Sequence, residues 1–267
     1  MASSLLTLTT NISYLGDMTQ LNQFLSVIKS EFPEDRLTYQ KAVPTFHPET
    51  AEDAARLFQL ANRHKQPIFI TGFGNNIDPQ GKPFTEMVSV RTDRLNKLIE
   101  IAPEDFYVTT GSGYPLKEIN VHLEDEKLWL PHSSLPYVGS VGGAIAAGLS
   151  ASFDNHDFPL RKYFIKATVV TPEGEIIEPG SVCFKSVSGY EIVKIFSGSW
   201  GLLGFIVSAS FRVMPLSAET EYDRMLQKPL EREALLKALD ETNDAVDAVY
   251  SRKIKARFDP ARVLPVV

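Results

Sequence analysis

The stretch Ile70–Ile77, ITGFGNNI, runs from a β-branched apolar tail into two glycines and a pair of asparagines. Gly72 and Gly74 leave the backbone bare where successive N–H groups can point at one anion. A G-x-G-x-x-G dinucleotide fingerprint is the first comparison, and Asp93 stands about 20 residues downstream, where a ribose-binding acid belongs. Two features oppose it. Position 77 is Ile, and Pro79, Gly81 and Pro83 deny the loop the helix whose N-terminus must hold a pyrophosphate. A phosphate-binding P-loop fails as well, because Gly81-Lys82 is followed by Pro83 instead of Ser or Thr. The stretch then reads either as an ordinary Gly/Asn turn or as a strand leading into a compact anion nest without a helix.

The rest of the chain bounds what such a nest serves. Its 267 residues, 43% apolar and 10% aromatic, suffice for one large domain or two modest ones. Lys and Arg total 27 against 33 Asp and Glu, a net charge of -6, and no basic run interleaves with aromatics, so nucleic acid is not expected as a partner. One cysteine, Cys183, cannot form an internal disulfide; within a probable strand it reads as a buried small hydrophobe. Iron-sulfur clusters and structural zinc need several thiolates, so any iron-sulfur centre must sit on another protein. His47, His64, His122 and His156 show no ligand spacing, and no metal is assigned. The first residues lack a basic n-region, and no apolar run reaches the roughly 20 residues of a membrane span; a cytoplasmic protein is expected.

Periodicity supplies the organisation. Thr50 and Asp53 stand in capping-box spacing ahead of Ala54, Leu57, Phe58 and Ala61 on one helical face. Strands follow at Ile68 to Thr71 and at 87 to 90, making the first third a small α/β unit. A strand at 105 to 110, a helix opened by Pro115 with Leu116, Ile119 and Leu123 on one face, and another short strand come next. A hairpin turning at Pro172 to Gly174 and the alternating run 205 to 213 make the second half antiparallel and sheet-rich. Residues 217 to 250 are charged and helix-prone.

Two more glycine-rich loops stand in this half. SLPYVGSVGGAIAAGLSAS sets Gly142 and Gly143 among Ala144, Ala146, Ala147 and Gly148, a composition suited equally to close helix packing or to a flat ligand. In the third, Gly198, Gly201 and Gly204 lead into a strand.

The order and spacing of the three loops resemble the FAD-binding domain of the vanillyl-alcohol oxidase and p-cresol methylhydroxylase family. ITGFGNN is similar to that family's pyrophosphate loop, Pro136 to Gly148 to its flavin-lining P-x-x-x-S/T-V/I-G-G-x-x-A-x-G segment, and Gly198 to Ile206 to its G-S-x-G-x-L-G-x-I segment. Lys255, Asp259 and Pro260 resemble its closing K-x-x-x-D-P motif. Within the family the chain resembles the FAD-binding subunit of glycolate oxidase.

The resemblance implies an α+β fold of two subdomains, a small α/β one over 40–95 and a larger, mainly antiparallel one over 96–215 with flanking helices. An N-terminal helical extension would occupy 1–39, and 216–267 would hold a reduced or absent cap and a tail. It implies FAD held by Thr71, Gly72, Phe73, Gly74, Asn75 and Asn76 on one side. Pro136, Ser140, Val141, Gly142, Gly143, Ala147 and Gly148 would press from the other, with Ile206 near the adenine and Lys255 beside the reduced flavin. Some relatives attach flavin through a histidine in the first loop; none occurs from 65 to 121, so binding is expected to be noncovalent.

The catalytic groups are not identified. A hydroxy-acid oxidase needs a base and a carboxylate-binding cation, yet only about 40 residues separate Pro215 from Arg257, short of an ordinary cap domain. His132 is a candidate to face the flavin, weighed against a packed histidine; Arg161 and Arg252 are candidate cations, weighed against solvated charges. Two functions follow from the resemblance. One is a flavin subunit dehydrogenating a small 2-hydroxy acid such as glycolate or D-lactate, with an iron-sulfur subunit and a second flavoprotein subunit as partners. The other is an FAD-binding electron-transfer or assembly module without turnover of its own.

Overall fold

The computed structural model describes residues 20–77, 82–153, 156–182, 192–217 and 225–266. Cys183 and residues 1–19 of the expected N-terminal extension lie outside them.

The first layer forms around a small sheet. A helix over 20–31 (α1) buries Phe24, Leu25 and Ile28 in the same core as the sheet, so it is part of the small subdomain's core. β1 (Leu37–Gln40) and β2 (Val43–Phe46) make a hairpin turned by Lys41 and Ala42, both at positive φ. α2 (Ala51–His64) starts where the Thr50 hydroxyl accepts from the Asp53 N–H at 3.0 Å, and it stops at Lys65 in the left-handed conformation before Pro67. Its buried face carries Ala54, Leu57, Phe58 and Ala61, the apolar stripe of the sequence. β3 (Ile68–Thr71), the short α3 (Lys82–Thr85) and β4 (Val88–Arg91) complete a four-stranded sheet in the order β1-β2-β4-β3, with β4 parallel to both β2 and β3. Among the described residues after Ile77, a single turn of helix containing Pro83 stands where a dinucleotide fingerprint would set a long helix.

The second layer is antiparallel. β5 (Leu98–Ala102) and β6 (Tyr107–Gly111) pair, then α4 (Ile119–Leu123), β7 (Leu128–Trp129) and α5 (Val141–Ala146) lead to β8 (Ser150–Phe153) and β9 (His156–Pro159). After α6 (Leu160–Tyr163), β10 (Phe164–Val170), β11 (Ile176–Ile177) and β12 (Phe205–Arg212) complete a sheet ordered β11-β10-β12-β6-β5, and β13 (Met214–Pro215) pairs with β7. The helix expected after Pro115 begins as a 3-10 turn, Leu116–Glu118, and is short. Its Asn120 side chain accepts from Leu130 N–H and donates to Leu130 O, tying it to the strand that follows.

The two layers share strands. Val170, Phe205 and Val207 belong to the small-sheet core, whereas Val169, Ile206, Ala209 and Phe211 belong to the larger one. The β10–β11 turn also docks on α2: Asn62 and Gln59 donate to Pro172 O and Gly174 O at 2.8 and 3.2 Å. Beyond β13 the described residues add one short strand and two helices. β14 (Leu226–Gln227) adds to β8, and α7 (Arg232–Leu239) packs on α8 (Val246–Phe258), burying little beyond Ala248. The chain then returns to the first layer, where Ile68 N–H donates to Val263 O and Val263 and Leu264 join the small core.

Candidate functional site

The three glycine loops converge between the layers. A Cβ added to Gly72 would lie 2.3 Å from Ser140 Oγ, and one on Gly139 3.2 Å from Asn75 Nδ2, so the first and second loops touch. Ser140 caps α5, its hydroxyl accepting from Gly143 N–H at 3.2 Å. Gly142 is there for packing: its N–H donates to Ser112 O at 2.7 Å, and a Cβ would come within 2.8 Å of Ser112 Cβ. The third loop closes the other end of α5, since Gly198 and Trp200 N–H groups donate to Ile145 O and Ala146 O at 3.0 and 2.8 Å. Carbonyls at a helix end lack intrahelical donors, and Ile145 O accepts from the Gly148 N–H at 2.9 Å as well.

Between the loops lies an open cleft of about 990 Å³, its solvent-filled mouth included. Gly74, at φ +84° with nothing within 4 Å of its missing Cβ, leaves bare backbone there. The walls are neutral: among the described lining residues only Tyr137 carries an ionisable side chain. In the wall, Thr92 is 3% exposed and its Oγ1 has no hydrogen-bond partner. Charge begins just outside. Arg91 donates to Phe73 O at 3.3 Å and to Gln40 at 2.7 Å, steadying the first loop from behind.

Of the residues expected at the site, Thr71, Gly72, Phe73, Gly74, Asn75, Asn76, Ser140, Gly142, Gly143, Ala147 and Ile206 line this cleft. Pro136, Val141, Gly148 and Lys255 do not. Val141 is fully buried, and Gly148, at φ +68°, sits against Gly198. Lys255 is held by Asp259 at 2.5 Å, and Asp259 also accepts from Val263 and Leu264 N–H, so the closing motif anchors the tail. Burial lowers the Lys255 pKa, only partly opposed by that carboxylate. His132 is packed: it is fully buried, its Nε2 lies 2.7 Å from Phe158 O, its ring stands 5.1 Å from Tyr163, and burial drives its pKa down to about 4. Arg252 donates to Asp240 O and Asn243 O, closing the loop between α7 and α8. Arg161, likewise a candidate cation, is outside the cleft lining.

Asp93 is also spent elsewhere. It pairs with His47 Nδ1 at 2.8 Å and lies 3.6 Å from Arg91; burial raises its pKa, but His47 and Arg91 more than offset this and hold it below the ordinary value. The sequence reading missed Thr92, Tyr137, Trp200, Gln227 and Leu230, all of which line the cleft. Tyr137 and Trp200 sat inside the quoted loops; Gln227 and Leu230 carried no signal, since β14 reaches the cleft only through pairing with β8. Among the described residues no cluster of His, Cys, Asp or Glu is able to hold a metal, and no helix is long and apolar enough to cross a membrane.

Residues 44–180 match the family model of the FAD binding domain. The chain belongs to this family. It is 28% identical over 191 residues to a D-lactate dehydrogenase of Anaerostipes hadrus, covering 70% of this chain and 40% of that protein. Glycolate oxidase subunit GlcD of Bacillus subtilis is 26% identical over 80% of this chain and 43% of its own length, and subunit GlcE of Escherichia coli is 28% identical over 57% and 43%. The chain thus spans less than half of these curated relatives. Among solved structures, an alkyldihydroxyacetonephosphate synthase superposes with a TM-score of 0.59 at 21% identity, covering 73% of this chain and 40% of that one. Substrate-bound p-cresol methylhydroxylase gives 0.57 at 17% identity over 74% and 44%. The two-subdomain FAD-binding fold and FAD as cofactor follow from family and fold together.

The chain's residues fit that cofactor. Bare backbone at Gly74 suits a diphosphate approached by N–H groups, and the unpartnered Thr92 hydroxyl is a buried polar atom in want of a ligand. Apolar Ile70, Ala144, Ala147 and Ile206 in the same wall suit the rings.

Proposed function

We propose that this cleft binds FAD noncovalently and that the chain is the flavin-carrying part of an oxidoreductase acting on a small 2-hydroxy acid such as glycolate or D-lactate. The convergence of three glycine loops on one neutral cleft carries the reading. N–H groups of Gly72 to Asn76 would hold the diphosphate by charge-assisted hydrogen bonds, and Ser140 to Gly143 would press on the dinucleotide from the larger layer. Bound FAD supplies the acceptor for a hydride equivalent. The absence of histidine from 65 to 121 supports a noncovalent link. The names of the relatives GlcD and GlcE as glycolate oxidase subunits support a multi-subunit assembly, in which an iron-sulfur subunit and a second flavoprotein subunit would be the partners. A cytoplasmic site of action fits the same reading.

One observation favours a second reading, an FAD-binding electron-transfer or assembly module. A 2-hydroxy acid needs a cation for its carboxylate and a base for its hydroxyl proton, and Tyr137 is the one ionisable group among the described lining residues. The first reading therefore requires substrate groups contributed by a partner or by parts of the chain outside the described cleft. The visible spectrum of the purified chain tests both, since a chain that shows no flavin absorbance after addition of FAD and removal of the excess supports neither. Anaerobic glycolate or D-lactate then separates them: bleaching by the chain, alone or only with partner subunits, supports the dehydrogenase, and colour unchanged in either state supports the module. Heat and denaturant should release all the yellow colour; colour kept on the chain would refute noncovalent binding.

A further inference from the structure

Among the described residues, eight other than glycine adopt positive φ. Lys65, Phe106 and Lys127 end helical turns, and Lys41 with Ala42 makes the β1–β2 hairpin. Arg262 lies just beyond α8 in the turn that returns the tail, its N–H donating to Asp259 O. Tyr137 and Trp200 remain, and both line the cleft.

Tyr137 is the less expected of the two. It stands at φ +60° and its side chain is 96% exposed, so burial of the ring does nothing to offset the strained backbone. It follows Pro136, and proline before a positive-φ residue is the order of a type II turn, whose third position favours Gly or Asn. The segment on either side is fixed. Leu135 is buried, Gly139 O accepts from Leu116 N–H at 3.0 Å, and Ser140 bridges to Pro115. A rigid turn thus holds a large aromatic ring out at the mouth of a cleft that is otherwise lined by small and neutral groups.

We propose that Tyr137 is a stacking platform: its ring packs against a planar ring of FAD bound in the cleft and covers it from solvent. The proposal rests on the FAD reading of the cleft. Stacking of an aromatic side chain on a base or flavin-like ring tolerates loss of the hydroxyl but not loss of the ring. The backbone strain is then expected to be independent of the ligand contact, and glycine at this position should separate the two.

The experiment measures FAD affinity by titration of the deflavinated full chain, and its melting temperature without FAD, for the natural protein and for Y137F, Y137A and Y137G. Y137F should bind within about twofold of the natural protein, whereas Y137A and Y137G should bind about fivefold to tenfold more weakly. Y137G should melt no lower than the natural protein in the absence of FAD, because it relieves the positive φ. Titration with FMN and with ADP assigns the ring: weakened FMN binding places Tyr137 on the flavin, weakened ADP binding on the adenine. Unchanged FAD affinity in Y137A and Y137G overturns the proposal, as does weaker binding accompanied by a lowered melting temperature in both variants, which marks a structural role. If the natural chain takes up no FAD, the cleft assignment falls and this one with it; uptake by the natural chain together with unchanged Y137A disproves the ring contact alone.

Discussion

At one end of the strands of the small sheet Arg36 pairs with Glu49, Arg94 bridges Asp35 and Glu49 at 2.5 and 2.9 Å, and Asp93 joins His47 to Arg91. A few residues away, the cleft beside Thr92 is lined without a single Asp, Glu, Lys, Arg or His among its described residues. The charged rim fixes where the first loop starts, through Arg91 on Phe73 O, while the cleft offers only backbone, hydroxyls and small apolar side chains. Exposed ion pairs contribute little, because water competes for both partners. Contacts at a bare backbone are unforgiving, because nothing can move aside. The two regions should therefore answer very differently to substitution.

The largest effect is expected at Gly72. Its missing Cβ would sit 2.3 Å from Ser140 Oγ, and pushing that hydroxyl away also breaks the cap on Gly143. Gly72→Val should weaken FAD binding by about 3 kcal/mol, roughly a hundredfold, with the circular dichroism spectrum retained. Flavin retained through purification at the natural stoichiometry would break the contrast between rim and cleft.

A second effect of similar size should appear in the larger core, where burial keeps His132 neutral down to about pH 4. Its ordinary value is 6.5. The unfolded chain binds this proton below that value while the folded chain does not, so stability falls as pH drops from 6.5 towards 4 and is unaffected above. The loss by pH 4.5 should be about 2 to 3 kcal/mol. Urea midpoints at pH 7 and pH 4.5 measure it. His132→Leu, although less stable at neutral pH, should lose this part of the slope; an unchanged slope would trace acid sensitivity to the carboxylates of the rim.

Much of this was legible in the sequence, and the reasons differ by element. Thr50 with the stripe Ala54, Leu57, Phe58 and Ala61 announced α2 because a cap and a 3.6-residue period are local signals. The prolines after Ile77 argued against a dinucleotide helix, and among the described residues that follow, the helix is the four-residue α3. The glycine loops pointed to the cleft because close approach leaves its mark on residue type. What stayed hidden was non-local. Lys255 looked like a flavin partner, but Asp259 sits one helical turn on and takes it up. Nothing local decided between a flavin-facing and a packed His132; Phe158 of β9 and Tyr163 of α6 close around it and make it packed. The boundary expected at residue 40 falls at the last residue of β1, and α1 belongs to the small core, with Phe32 just beyond it packed edge-on against Phe46 at 4.7 Å. Gln227 reaches the cleft only by strand pairing, which has no signature in two residues.

The smallest effect should come from the rim. Arg94 makes three hydrogen bonds, to the Asp35 carboxylate, the Asp35 carbonyl and Glu49, yet those carboxylates are 62% and 44% exposed. Its guanidinium lowers the pKa of Asp35, but a carboxylate in water gains little stability from a screened partner. Arg94→Ala should cost about 0.5 to 1 kcal/mol at low salt, and less in 1 M salt, where charges screen within about 3 Å. FAD affinity should stay within about twofold, because the guanidinium acts on the turn Glu34–Arg36 and not on the cleft wall. A tenfold loss of FAD affinity in this variant, with stability little changed, would mean that the rim's field reaches the diphosphate, and that the neutral cleft borrows its attraction for an anion from charges it does not contain.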